Sequence, residues 1–449
     1  MTIEKQSGNS FLLAGLLLLS ALAYYMLAYE ISRENFEHVF SLFSLLFAFY
    51  FICYKTFSQT HFRHLVIAGI LFRTLLLFSI PNLSDDVYRF IWDGRLAANG
   101  INPFGHLPAE IIQTEVVPGI DGTLYKQLNS PAYYSIYPPL LQVMFWAAAK
   151  VFPENVYGAI IFFKFVIILF EFGNSILLRK LLKKLSLSEH LSLLYMLNPL
   201  VIIELSGNVH FEGVMIFFVL LSFLLLFTGK WKASAICLGL GIATKLLPIL
   251  FLPLIIKKVG FKKGLLYAAI AGATTLLLFA LLFDFAAIQN AAKSVDLFFR
   301  KFEFNASIYY FVRWIGTWIA GYNLINYAGP SLSLIAAVIM VFLSFKTTLK
   351  NEETLFIKAL FIMTVFFLFA TTVHPWYICM PVALAVFTPF RYAFIWSFTA
   401  TLSYAAYQYN PVQENLWLIG GGYVLMFSYA LWEFKRNDTF LTHPSTKII

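Results

Sequence analysis

The chain has 449 residues, enough for two or three soluble domains, yet 60% of it is hydrophobic, 18% aromatic and only 12% charged. An average globular domain is roughly 25% charged, and a soluble fold this apolar could not cover its own core with polar surface. The same arithmetic excludes a disordered chain, a disulfide scaffold and a nucleic-acid-binding domain. The net charge of +9 sits in short Lys/Arg clusters between apolar stretches, which is the pattern of cytoplasmic loops rather than of a surface built for an acidic partner.

Taken in chain order, apolar runs long enough to cross a bilayer fall at 11–29, 38–54, 65–81, 156–178, 190–206, 213–229, 264–283, 324–345, 355–372, 375–389, 392–409 and 416–434. They predict an all-α, polytopic membrane protein with about 12–14 spans, read as a single membrane domain over 1–449. The first run has only one Lys in its polar flank and no clean small-residue cleavage site, so it is expected to be a retained helix. The basic clusters at Lys55 and Arg63, Arg179–Lys184, Lys230–Lys232, Lys257–Lys263, Lys346–Lys358, Arg391 and Lys435–Arg436 are assigned to the cytoplasmic side, with both termini. Cys53, Cys237 and Cys379 lie within or beside apolar runs without metal spacing and read as small hydrophobes.

Two segments break the alternation of sides. Residues 137–151 look like a short span, but a crossing there would invert the basic cluster after residue 178. They are read as an interfacial helix started by Pro138 and Pro139. Residues 233–256 carry lysines at both flanks and an interruption at Lys245-Leu246-Leu247-Pro248, which a kinked or re-entrant hairpin reconciles. The outer side then holds two long loops, 82–155 and 284–323, and loops of that length are unusual unless functional.

The densest polar stretch is Ser84-Asp85-Asp86-Val87-Tyr88-Arg89-Phe90-Ile91-Trp92-Asp93-Gly94-Arg95. On a helix, Asp85, Arg89 and Trp92 or Asp93 share one face. A solvated helix start is the plain reading of a single Asp there, but three acids and two arginines in eleven residues are conspicuous in a chain so poor in charge. Paired carboxylates beside low-dielectric lipid suit a general base, a metal ligand or ion coupling. Arginines beside them suit a phosphate or phosphodiester. Base plus phosphate clamp fits displacement of a lipid-phosphate leaving group.

The order of these residues resembles the integral-membrane glycosyltransferases of the GT-C fold. The acidic pair, Tyr88, Trp92-Asp93-x-Arg95, Gly100-x-x-Pro103-Phe104 and Tyr134-x-x-Tyr137-Pro138-Pro139-Leu140-Leu141 carry the likeness. Further along come Gly207-Asn208-Val209-His210-Phe211-Glu212, Lys245–Pro248 and His374-Pro375-Trp376-Tyr377. The resemblance runs over roughly 65–390 and is closest to the mannosyltransferase branches, including the catalytic subunit of glycosylphosphatidylinositol mannosyltransferase I and bacterial polyprenol-phosphate-mannose-dependent enzymes. It implies a juxtamembrane helix that does not cross, a polyprenyl-phosphate sugar donor, and inverting transfer of a hexose, expected to be mannose, to a lipid or glycan acceptor on the non-cytoplasmic face. Carried over, Asp85 is the base, with Asp86 its adjacent alternative. Tyr88, Arg89, Asp93, Arg95, His210, Glu212, Arg313 and His374 are the candidate substrate contacts. No Gly-rich phosphate loop is needed, no cofactor is expected, and no ligand set supports a metal.

Plainer readings stand beside these. His210 and Glu212 could be a polar turn, His374 a helix-boundary residue, and His106 an ordinary loop residue. Arg313, with Arg300 or Lys301, could hold the lipid phosphate, but interfacial Tyr, Trp and Arg are also ordinary membrane anchors. Asn305-Ala306-Ser307 is a glycosylation sequon, meaningful only in a eukaryotic secretory compartment. Arg73, Lys164, Glu171 and Glu204 are costly in hydrocarbon and are assigned to structure first, with Lys164 and Glu171 facing the bundle interior. A lipid-sugar flippase and a surface polysaccharide polymerase or ligase are the competing functions. Related halves and midplane charges would mark the flippase. The lean loops point to a bacterial plasma membrane; protein partners are not legible.

Overall fold

The computed structural model describes residues 2–114, 116–282, 289–290, 293–294, 296, 300–346 and 351–436. Expectations for both chain ends, and for much of the stretch 283–299, lie outside these residues. All twelve apolar runs fall on helical segments, and among the described residues the β contact recorded is an isolated parallel bridge between Phe304 and Thr372. The helices are α1 (Thr2–Tyr25), α2 (Phe36–Phe57), α3 (Phe62–Leu75), α4 (Asp86–Ala98), α5 (Pro108–Thr114), α6 (Gly122–Lys126), α7 (Pro139–Val151) and α8 (Val156–Lys184). A bent pair follows, α9 (Glu189–Met196) and α10 (Pro199–Gly207), inclined by 55°. Then come α11 (Glu212–Phe227), α12 (Trp231–Thr244), α13 (Leu252–Val259), α14 (Phe261–Leu282), α15 (Ile308–Ala320), α16 (Ile325–Lys346), α17 (Glu352–Phe369), α18 (Pro375–Ala385), α19 (Tyr392–Thr399) and α20 (Leu416–Arg436).

This is an all-α polytopic membrane protein. Five of its helices (Ser10–Glu30, Phe36–Phe57, Val156–Lys184, Phe261–Ala280 and Ile325–Lys346) are each long and apolar enough to cross a bilayer, and α9 with α10 makes a sixth span if counted as one. Other predicted spans are shorter or broken. α11 has 16 residues and α12 has 14, against about 20 for a straight crossing. Backbone at membrane depth can leave the helix only where protein or a cavity meets its polar groups, and the start of α11 at Glu212 and the end of α12 at Thr244 are buried in protein. Pro199 and Pro375 sit in first turns, where the missing N–H costs nothing.

Residues 231–259 form the expected hairpin. Going up, α12 runs beside α14: Ser234 Oγ lies 2.8 Å from the Tyr267 hydroxyl, and Thr275 Oγ1 donates to the Gly239 carbonyl at 3.0 Å. After Lys245 the chain turns back, bringing Phe251 against Phe223 and Ile256 against Gly264 at the start of α14. The juxtamembrane segment is also helical from Pro139, and its 13 residues are too few for a span. It packs on α4 through stacked Phe90 and Phe145 rings, 4.8 Å apart.

Arg73, Glu171 and Lys164 each find polar partners inside the bundle. Arg73 on α3 holds Glu171 on α8 (Nη2–Oε2, 2.9 Å) and the carbonyls of Gly69 and Met196. Glu171 also accepts from Tyr195 and Asn174. Lys164 donates to the Leu76 carbonyl and to Ser79 Oγ, at 2.9 and 2.6 Å, where α3 ends. These groups face the interior as expected, Lys164 on the end of α3 and Glu171 on Arg73.

Candidate active site

The stretch leading to the acidic pair is held at several points. Lys164 secures Leu76 and Ser79, and Asn208 Oδ1 accepts from the backbone N–H groups of Asn82 and Leu83 at 3.2 and 3.1 Å. Asp86 N–H donates to Ser84 Oγ (3.3 Å) as α4 begins. Asp85 occupies the N-cap position of α4 without a side-chain capping bond, and Asp86 is the first helical residue, where the helix dipole favours negative charge. Asp85 Oδ2 lies 2.8 Å from Arg33 Nη2, and the Arg33 guanidinium rests over the Tyr407 ring at 5.3 Å. Asp86 Oδ1 accepts from Asn129 Nδ2 at 2.7 Å. Tyr88 is half-buried beside Asp85 and Arg33, and burial first, then the Asp85 charge, pushes its phenol above the usual value.

The rest of the motif is turned into the protein. Arg89 and Asp93 form a buried pair (2.7 Å). Arg89 also donates to the carbonyls of Ser130 and Tyr133, while Asp93 accepts from Ser135 and Gln142. Arg95 is buried and donates to the Gly119 carbonyl. Three of the expected substrate contacts therefore hold the 117–142 loop around α4 instead of lining the site.

His210 and Glu212 arrive through a tight turn in which Val209 has φ +62°, uncommon for a β-branched residue. His210 stacks on Trp376 at 3.7 Å, Trp376 on His374 at 4.3 Å, and His374 on Phe304 at 5.0 Å. Burial holds both imidazoles down, His210 at about 4 and His374 at about 3, so both are neutral at pH 7. Glu212 is fully buried and pairs with Lys245, whose ammonium lies over Tyr377 at 5.4 Å. Glu204 accepts from Tyr404 and Asn208, and its Oε2 is 3.2 Å from His210 Nε2, out of line for a hydrogen bond. The charge of Asp86 reaches His210, Tyr137, Tyr377 and Tyr407.

One polar region thus gathers the acidic pair, Tyr88, His210, Glu212 and His374. Arg313 pairs with Glu303, the residue before Phe304, and stacks on Tyr310 at 4.5 Å, next to a small satellite core around Tyr309. Asn305 of the sequon is buried, with its side-chain amide donating to the Val373 carbonyl, so it does not present itself for glycosylation. Among the described residues, Glu204 Oε2, Ser206 Oγ, His210 Nε2, Glu212 Oε2 and His374 Nδ1 are buried here without partners. A second group of such atoms, on Arg89, Trp92, Arg95 and Gln142, lies around α4; such atoms are few in a finished interior. Among the described residues no three His, Cys, Asp or Glu side chains gather as a metal site.

In the sequence nothing marks Arg33, Tyr407 and Asn129 for this site; Glu204 reads as structural, and Lys245 and Tyr377 stand only as motif positions. A charged residue inside an apolar run was a usable signal for Glu204; Arg33, in a short polar turn, offered none. A family model described as alpha-(1->6)-mannopyranosyltransferase, N-terminal domain, matches residues 13–259, more than half of the chain. That stretch holds Arg33, Asp85, Asp86, His210, Glu212 and Lys245 and ends before Arg313 and His374. No curated protein matches the chain.

Proposed function

This chain belongs to the alpha-(1->6)-mannopyranosyltransferase family, and from that premise we propose that it moves mannose from a polyprenyl-phosphate donor to a lipid or glycan acceptor on the non-cytoplasmic face of a bacterial plasma membrane. The GT-C architecture, and a cytoplasmic position for both termini, are parts of the same proposal. The observation that carries it is the Arg33–Asp85 pair at 2.8 Å, beside a cluster of buried polar atoms without partners.

In this reading Asp85 takes the proton of the acceptor hydroxyl. The acceptor oxygen bonds to the sugar C1 as the C1–O bond to the lipid phosphate breaks, which inverts the anomeric centre in one step. Arg33 is the natural ligand for the departing phosphate, because a guanidinium binds a phosphate as it binds a carboxylate, in a planar fork. Passing Arg33 from Asp85 to the phosphate frees the carboxylate to take the acceptor proton when the donor is seated. Lys245 supplies a second cation. The unpartnered atoms of Glu204, Glu212 and His374 suit the hydroxyls of a hexose, since an unmet buried polar group costs about 1–3 kcal/mol. Tyr88 borders the acceptor side; Arg89, Asp93 and Arg95 keep the loop in place.

The test is transfer of labelled mannose from polyprenyl-phosphate-mannose in membranes. Asp85→Asn is expected to lower transfer by about 10²–10⁴, the usual contribution of a general base, with unfolding unchanged. Asp86→Asn is expected to lower it less. Undiminished transfer by a folded Asp85→Asn protein removes Asp85 as the base, and the reverse ranking hands the role to Asp86.

A further inference from the structure

At the end of the bundle away from Asp85, a cavity of about 710 Å³ opens between the α2–α3 turn and the α8–α9 turn. Its wall is part basic and part apolar. Phe62, Arg63 and Ile67 of α3 line one side, and Arg179, Glu189 and His190, from α8 and the start of α9, line the other. The charge of Arg179 is already used: its Nε lies 2.8 Å from Glu189, and its guanidinium covers Phe62 at 5.5 Å. Arg63 is exposed, and no ion pair or hydrogen bond within the described residues engages it. Ile67 is 56% exposed and Leu71, one turn further along α3, is 59% exposed. In a membrane protein that apolar row faces lipid, so the cavity has a cationic head and an open flank toward acyl chains.

We propose that this groove binds one anionic glycerophospholipid from the leaflet at this end, with its phosphate on Arg63 and an acyl chain along Ile67 and Leu71. Charge complementarity and the continuous apolar flank select a lipid over a water-soluble anion, which would gain nothing from Ile67. The groove lies where α3, α8 and α9 meet. The same three helices carry the Arg73–Glu171–Met196 network, so a bound lipid ties the frame that supports the loop before Asp85. A ligand that binds only the folded state raises its stability in proportion to the logarithm of its concentration.

The experiment follows thermal unfolding of the purified full chain in neutral detergent, titrated with phosphatidylglycerol, phosphatidylcholine or sodium phosphate. Saturable stabilisation by phosphatidylglycerol alone is expected. Arg63→Gln should weaken it about fivefold, the effect of one cation near an anionic surface, and Ile67→Trp, which fills the groove without changing charge, should also weaken it. Lys184→Gln, on the same face outside the groove, should behave as wild type. Equal affinity in Arg63→Gln and wild type overturns the proposal, as does an equal loss in Lys184→Gln. A shift reproduced by sodium phosphate overturns the lipid assignment. If Arg63→Gln unfolds early without any lipid, Ile67→Trp decides the question alone.

Discussion

Asp85 and Asp93 lie eight residues apart on one helix, yet their surroundings give them different work. Asp85 is about one-third exposed and meets Arg33 near solvent, where an ion pair contributes little to stability, about 0–1 kcal/mol. Asp93 has no exposure and accepts from Arg89, Ser135 and Gln142. Asp93→Ala is expected to cost about 3–5 kcal/mol in a denaturant titration, because Arg89 would remain as an unpaired buried cation. Asp93→Asn should cost less. The spacing of these residues was legible as a shared helical face; the rotation that turns Arg89 and Asp93 inward was not, because it is set by the 130–142 loop packing from outside the motif.

Between elements, the contact that orients α4 is its crossing with α7. A Cβ on Gly94 would lie 2.2 Å from the Phe145 carbonyl oxygen and 2.6 Å from its carbon, so the two backbones can approach only where α4 has no side chain. Gly94→Ala must push the helices apart. We expect a loss of about 1–3 kcal/mol, typical of overpacking, read as a lower unfolding midpoint, with a fall in transfer as Asn129 shifts from Asp86. The Pro-Pro start of α7 and the break at Lys245 could be read locally, since proline chemistry is local. That α10, α11, α12 and α18 stop or start at the same polar region could not. Helix ends are placed in register by packing, which involves residues far apart in the chain.

Across the whole molecule, the site depends on keeping two imidazoles neutral inside the protein. His210 and His374 titrate at about 4 and about 3 in the folded state, against roughly 6.5 when unfolded. Their folded values are lowered, so below pH 6.5 the unfolded chain takes up protons that the folded chain refuses. Stability attributable to them is full above pH 6.5 and falls as the pH drops toward 5, by up to about 1.4 kcal/mol per pH unit for each histidine. Unfolding temperatures at pH 7 and pH 5 should differ accordingly, and His374→Gln should flatten the dependence. A slope unchanged in that variant would show that His374 contributes nothing to it. Transfer activity should show no step from either histidine between pH 5 and 8, because both stay neutral in the folded enzyme.

Composition and periodicity alone determined that this is an all-α membrane protein. Twelve apolar runs, a short helix starting at Pro139 and a reversal near Lys245 follow from the free energy of placing apolar and charged groups in lipid, which each residue carries locally. The order of short motifs also marked the acidic pair, His210, Glu212 and His374. Tertiary structure decided which charges meet. It brings Arg33 to Asp85 across some fifty residues, sets Lys245 on Glu212, stacks His374 and His210 on Trp376, and withdraws Arg89, Asp93 and Arg95 into the loop. Those pairings depend on distances between helices that no local pattern encodes. In a low-dielectric interior, such distances decide whether a charge is a support or a reagent.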